Sequence, residues 1–346
     1  MRSKFSRRRL VLLGVLALVI AAIAFANRSQ IRSAFEAFTG ADYAGDGHGS
    51  VVLQISSGDD GSIIASELVD ADVVKSYRTV YKLIIARDMV FYPGSYQLKL
   101  QMSSAAALDA LADPTNRISN RVTIKEGLRL SQVFDALAKA TQIDRVKFVT
   151  ASQDLAAIGI PTAEVSAEGW LFPATYEFDP GTTAKQILQI MVKRTIVELD
   201  RFGVAVADRH RVLTLAALVQ KEARLEPDFY KVSRVFLNRI ELGMHLQSDA
   251  TVSYGVNGST VSTSAADRAN QNGYNTYLNA GLPIGPISAP GATAIDAALH
   301  PAVGKWLYFC AINLKTGETV FSNTYAEHQV AVRQWQAWMR ANPGYE

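Results

Sequence analysis

The stretch LTLAALVQKEARLE sets Leu215, Leu218, Val219 and Glu222 at i, i+3, i+4 and i+7, so a helix there carries a carboxylate on its apolar stripe. Gln220, Lys221 and Arg224 take the other faces. A carboxyl group held against hydrocarbon keeps its proton to higher pH, because desolvation disfavours the charged form. Such a group can act as a general acid near neutrality. A Glu at the rim of the stripe, with its head in water, satisfies the same pattern. Other chemistries find little support. His48, His210, His245, His300 and His328 show no zinc-like spacing, and the chain has no Gly-x-Ser-x-Gly elbow and no phosphate-binding glycine loop. The single cysteine, Cys310 in WLYFCAI, reads as a buried thiol and excludes an internal disulfide framework. Neither a metal nor a cofactor is expected.

The elements that must position this acid can be read from periodicity and punctuation. A loop at 168–173 (EGWLFP) leads into a helix over 183–202 and a second over 209–224. Pro227 opens a third, which Gly243 closes. Residues 281–291 (GLPIGPISAPG) hold three Gly and three Pro, a stiff irregular loop suited to a groove wall. Strands over 306–312 and up to Ser322, joined by a turn at 315–318, precede a last helix over 325–340. Nearer the N-terminus there is a weak repeat at an offset of 69 residues. It aligns Leu53, Ile55, Gly58, Ile64 and Leu68 with Val122, Ile124, Gly127, Val133 and Leu137, each set reading as strand, glycine turn and amphipathic helix. A helical stretch near 73–87 and a strand near 96–100 complete the first set as strand-helix-helix-strand, the order of a LysM-like fold. A generic α+β spacer has the same order.

Charge is placed unevenly. Residues 1–32 hold seven Lys and Arg and no acid, leaving 28 basic against 32 acidic residues for the remainder, so the net charge of +3 belongs to the leader. A nucleic-acid role is disfavoured, since the folded part is mildly acidic. Seventeen uncharged residues at 10–26 would make a helix of about 25 Å, at the short end of what spans a bilayer. Five positive charges precede the run and two closely follow it, which keeps the N-terminus cytoplasmic and exports the rest. A cleaved signal peptide ending at Ala24-Phe25-Ala26 is the competing reading. Residues 28–49 read as a tether.

Six blocks, in order, resemble the MltG (YceG-like) family of endolytic murein transglycosylases: EGWLFPATYEF (168–178), AALVQKEA (216–223), KVSRVFLNRIELGMHLQSDATVSYG (231–255), YNTYLNAGLPIGPISAPG (274–291), ALHPA (298–302) and FSNTYAEH (321–328). The resemblance implies an α+β protein with a single N-terminal transmembrane helix (1–27), a linker (28–49), a small LysM-like subdomain (50–119) and a larger mixed α/β catalytic domain (120–346). It implies a lyase of the cytoplasmic membrane, catalytic side outward, cutting MurNAc–GlcNAc bonds of nascent glycan strands and leaving 1,6-anhydro ends. Peptidoglycan synthases would be neighbours. Glu222 matches the family's catalytic acid. The chain departs from the family at Gln220 and Ala223, where Glu and Thr are usual, and at Ala174, where Asp is usual. The hydroxyl normally next to the acid is therefore missing.

A lytic transglycosylase needs one carboxylate, whereas ordinary glycosidases need two. Glu168, Glu226 and Asp249 are the candidates for a second, with Glu226 reading as a helix start and Asp249 as a loop or sugar contact. Glu168, Gln247, Asp249, Tyr254, Asn275 and Tyr277 supply the amides, carboxylates and aromatic faces that sugars require. A lysozyme-like hydrolase and a noncatalytic wall-binding scaffold are the alternatives.

Overall fold

A computed structural model describes residues 41–161, 163–258 and 263–344. The hydrophobic run at 10–26 lies outside them. Among the described residues no helix is long and apolar enough to cross a membrane. The architecture is mixed α+β, with twelve helices and three small sheets among the described residues. The chain divides into two compact units at Ser119/Asn120.

The first unit runs β1 (Asp46–Ile55), α1 (Gly61–Asp70), α2 (Tyr77–Ala86), β2 (Gly94–Met102), α3 (Ser104–Ala112) and β3 (Arg117–Ile118). β1 and β2 pair antiparallel, with Leu53 opposite Tyr96, and β3 adds to the far edge of β2. Asp60, Ser76 and Ser103 cap the three helices by accepting from backbone N–H groups of the first turn. The tether expected to reach residue 49 ends earlier than that. β1 starts at Asp46, and before it the Asp42 carboxylate accepts from the Ser104 N–H and hydroxyl while Tyr43 donates to Asp72. Glycines hid this strand. Gly45, Gly47 and Gly49 all have positive φ, and a Cβ at Gly47 would fall 2.4 Å from the Leu100 carbonyl oxygen.

The second unit opens with β4 (Asn120–Thr123), paired antiparallel with β5 (Thr175–Phe178). Between them lie α4 (Leu130–Thr141) and α5 (Arg145–Ala151). Then follow α6 (Ala184–Arg201), α7 (Arg209–Glu222), α8 (Glu226–Glu241), α9 (Asp249–Gly255), α10 (Ala265–Ala269) and α11 (Ala292–Leu299), the hairpin β6 (Tyr308–Asn313) and β7 (Glu318–Ser322), and α12 (Tyr325–Ala341). Both halves of the weak repeat are realised as strand, glycine at positive φ and helix. All eight of its apolar positions are buried in the core of their own unit.

α7 differs from its sequence reading. Instead of an amphipathic helix with one apolar stripe, it is buried on all sides from Val212 to Val219, with α8, α9 and α11 packed around it. Its first turn, Arg209 to Arg211, and its last turn reach the surface. It also stops at Glu222, two residues short of expectation, where Ala223 turns extended and the Arg224 guanidinium is drawn to the Leu314 carbonyl. The Gly- and Pro-rich loop at 281–291 is a brace rather than a groove wall: residues 285–291 are buried. Ala289 exchanges backbone bonds with the 127–128 segment, Ser288 Oγ donates to the Ala217 carbonyl, and the Gly291 N–H donates to Gln220 Oε1 at 3.0 Å. An acceptor oxygen is all this last bond uses, so either Gln or Glu would serve at position 220.

Gly169 locks the 168–173 loop against that brace. Its φ is +78°, and a Cβ there would lie 2.4 Å from Pro286 Cβ. Gly169→Ala should therefore destabilise the protein by about 2–4 kcal/mol, through backbone strain and overpacking together. Urea unfolding of the variant checks this, and a change under about 0.5 kcal/mol, the scale of a neutral surface substitution, would refute the brace.

Candidate active site

The last turn of α7 carries Gln220, Lys221 and Glu222 into a cleft. Glu222 lines two cavities that meet at it and at Asp249. One, of 540 Å³, is bordered by Arg129, Ser131, Gln132, Lys221 and Ser253, and the other, of 310 Å³, by Arg239, Gln247, Tyr277, Tyr308, Tyr325 and His328. An acid at the junction of two arms is placed to act on a bond inside a polymer that occupies both.

Glu222 Oε1 accepts from Ser248 Oγ at 2.5 Å. Ser248 stands at the N-cap position of α9, where a Ser ordinarily spends its hydroxyl on the helix. Here the hydroxyl makes no cap bond and goes to the acid instead. Its own place is fixed, since its N–H donates to Thr276 Oγ1 and its carbonyl accepts from Thr251 Oγ1. Ser248 thus supplies a hydroxyl partner to the acid.

Burial holds the Glu222 carboxyl above the usual carboxylate range, and the negative charge of Asp249 pushes the same way. The Ser248 bond and the cations of Lys221 and Arg239 oppose them. The C-terminal end of α7 adds a partial negative charge beside the group. Asp249, the first residue of α9, accepts from Tyr277 Oη at 3.0 Å and Thr263 Oγ1 at 2.5 Å and pairs with Arg268 at 3.6 Å. It is held by three partners, and the neighbouring Tyr277 hydroxyl is pushed up to about 12, chiefly by burial.

The six expected sugar contacts separate into two groups. Gln247, Asp249 and Tyr277 line the cleft. Glu168, Tyr254 and Asn275 do not; they support it. Glu168 is only 2% exposed, and its carboxylate takes the Leu130 N–H at the start of α4 and the Tyr254 hydroxyl. Desolvation raises its pKa to about 7. Tyr254 packs edge-on against Tyr274 and under the Arg129 guanidinium. Asn275, fully buried, donates to the Arg268 and Asn270 carbonyls and accepts from the Tyr277 N–H, so its amide folds the loop that carries Tyr277. Glu226 begins α8, with Pro227 behind it, and is absent from the cleft lining.

Ser248, Arg129, Arg239, Tyr308, Tyr325 and His328 went unmarked in the sequence. Arg239 is nearly buried, donating to the Leu307 and Leu246 carbonyls beneath the Tyr308 ring. His328 stacks on Tyr308 at 5.2 Å. Among the described residues no group of three His, Cys, Asp or Glu is placed to hold a metal.

An α+β unit with a carboxyl of raised pKa at the meeting point of two cleft arms has the parts of a polymer-cleaving acid catalyst. The signature of the YceG-like family matches residues 53–334, and the chain belongs to that family. It is similar to an endolytic murein transglycosylase of Bacillus subtilis (strain 168), 32% identical over 84% of this chain and 86% of that protein. It is also similar to one of Streptococcus pneumoniae serotype 2, 27% identical over 68% of this chain but 49% of that protein, about half its length. A crystal structure of a yceG-like protein from Listeria monocytogenes superposes with a TM-score of 0.56 at 28% identity, covering 82% of this chain and 99% of that one.

The Ser248 bond stabilises the charged form of Glu222, so Ser248→Ala raises the acid's pKa further. A general acid works while protonated and fails as pH climbs through its pKa. The alkaline limb of the kcat/KM profile should accordingly move to higher pH, with a roughly tenfold loss at the optimum from a less well held carboxyl. A pH–rate profile checks this, and an alkaline limb moved to lower pH would contradict the assigned partner.

Proposed function

We propose that this chain is an endolytic lytic transglycosylase of peptidoglycan with Glu222 as acid and then base. One observation carries the reading: a carboxyl kept protonated by burial and fixed by Ser248 sits where two cleft arms meet. The names of the Bacillus and Streptococcus relatives supply the substrate class. Glu222 donates its proton to the bridging oxygen between N-acetylmuramic acid and N-acetylglucosamine, and that bond breaks as oxocarbenium charge develops at the muramoyl C1. The carboxylate so formed takes the proton of the muramoyl 6-hydroxyl, whose oxygen closes on C1. Proton count balances, no water enters, and the new end is a 1,6-anhydro ring. Tyr277 and Tyr308 offer faces for sugars, and Gln247 an amide for hydroxyl groups.

Glu222→Gln is near-isosteric but has no proton to give, so anhydro-muropeptide release should fall by 10²- to 10⁴-fold or more, the usual contribution of a general acid. Stability gives an independent readout. The native state binds the Glu222 proton more tightly than the unfolded chain, so the stability from this group is fully present below the unfolded pKa, about 4.3, and is lost as pH rises through the raised native value. The variant should therefore equal the parent in acid and exceed it at alkaline pH. Mass spectrometry of digested murein is the main measurement: undiminished cleavage by Glu222→Gln rejects the acid, and reducing ends in place of anhydro ends point to a lysozyme-like hydrolase.

We further propose that the run at 10–26 is a retained anchor with the N-terminus cytoplasmic. The first unit, β1-α1-α2-β2 in order, is then LysM-like, and the catalytic unit acts outside the membrane near nascent strands and their synthases. The charge bias across the run and its length support this. Anchoring raises the local concentration of enzyme at its substrate. Removing residues 1–27 should leave cleavage of isolated glycan intact, while strands lengthen in cells that export the truncated protein at matched levels. Normal strand length there would mean that the run is a signal peptide or that the first unit sets location.

A further inference from the structure

The two arms of the cleft differ in chemistry. The arm with Gln247 and Tyr277 is aromatic, with Tyr308, Tyr325 and His328 around it, and its cation, Arg239, spends its guanidinium on the Leu307 and Leu246 carbonyls. The other is cationic. Arg129 and Lys221 border it, and among the described residues neither forms an ion pair. Arg129 is fixed by donating to the Gly258 carbonyl at 2.7 Å and Ser253 Oγ at 3.1 Å, which uses two of its five N–H donors. Lys221 makes one long bond, 3.4 Å, to the Gly127 carbonyl. The acids whose charge acts on these cations are engaged elsewhere: the Glu222 pKa is raised by burial and its carboxyl takes the Ser248 hydroxyl, Asp249 is paired with Arg268, and Glu168 takes the Leu130 N–H and the Tyr254 hydroxyl. Burial and the charge of Arg129 push the Lys221 pKa down, against the opposing charges of Glu222 and Glu168.

Two fixed cations within a cleft call for an anion on the ligand. A glycan backbone of N-acetylated sugars is neutral, and the acidic groups of murein hang from the muramoyl residue: the lactyl carboxylate when free, or the carboxylates of the peptide attached to it. Resting on the function proposed above, we propose that Arg129 and Lys221 form a carboxylate-binding subsite that seats the acidic substituent of a muramoyl residue in the 540 Å³ arm. The aromatic arm takes uncharged sugar faces. The strand then enters in one direction only, with a substituted muramoyl residue on the Arg129 side of the acid.

The test uses the purified full-length protein and three substrates: strands bearing stem peptides, strands stripped of peptide so that the lactyl carboxylate is free, and stripped strands whose carboxylates have been coupled to methylamine and are neutral. The parent should show kcat/KM roughly tenfold or more higher on the stripped acidic strands than on the neutralised ones, the scale of one charge-assisted hydrogen bond. Lys221→Gln should lose most of that ratio, chiefly through KM, and Lys221→Glu should reverse it. Because each ratio compares one variant on two substrates, an altered proton affinity of Glu222 cancels. Dependence on Lys221 seen with peptide-bearing strands alone assigns the peptide carboxylates, and dependence with stripped strands assigns the lactyl group; either supports the subsite. Equal parent rates on all three substrates, or no dependence on Lys221 with either of the two acidic substrates, overturns it. Absence of anhydro ends from every substrate with the parent protein overturns instead the transglycosylase reading and the subsite with it.

Discussion

The placing of one carboxyl group at the end of a buried helix, where burial raises its pKa, is the constraint on which the second unit depends. Glu222 ends a helix buried on all sides from Val212 to Val219, so the group is desolvated and stands at the negative end of the helix dipole. Both effects favour the neutral acid. A donor is still needed to hold the group in one orientation, and Ser248 supplies it from a loop that is itself tied to Thr276 and Thr251. One hydroxyl neither ionises the acid nor leaves it loose. Two or three donors would pull its pKa down and remove its value as an acid.

The supports around the cleft follow from this need for rigidity. Glu168 anchors the start of α4 and, through Tyr254, the helix that Asp249 begins, while Asn275 folds the turn that presents Tyr277. The 281–291 brace ties α7 to the 127–128 segment through Ser288, Ala289 and Gly291. Residues that look like sugar ligands by type are thus spent on backbone N–H and carbonyl groups. A buried amide or carboxylate with its bonds filled has nothing left for a substrate, and leaving those bonds open would itself be costly.

The first unit shows how far a pattern can be trusted when glycine intervenes. The offset repeat of strand, glycine turn and helix recurs in both units with every apolar position buried, because alternation and helical spacing each select one face for the core. Asp42 to Gly49 read as tether for the opposite reason: three glycines erase side-chain alternation, although the backbone there pairs with β2 as far as Asp46.

In the second unit α5, β5, α9, α10 and α11 went unmarked, but the sequence by itself determined β4, α4, α6 to α8, the β6–β7 hairpin and α12 to within a few residues, the separateness of the basic leader, the family blocks, and Glu222 as the carboxyl to watch. These are local properties, written in spacing and in the residues that start and stop elements. Tertiary structure alone decided which polar residues face the cleft. Ser248 lies 26 residues from Glu222 and Arg129 lies 92 residues before Lys221, and neither distance in sequence predicts contact. Nor could residue type separate Tyr277, which lines the cleft, from Tyr254, which supports it. Whether a hydrogen-bonding group serves ligand or fold depends on which partners the packed chain brings within about 3 Å, and that is fixed only when the whole core closes.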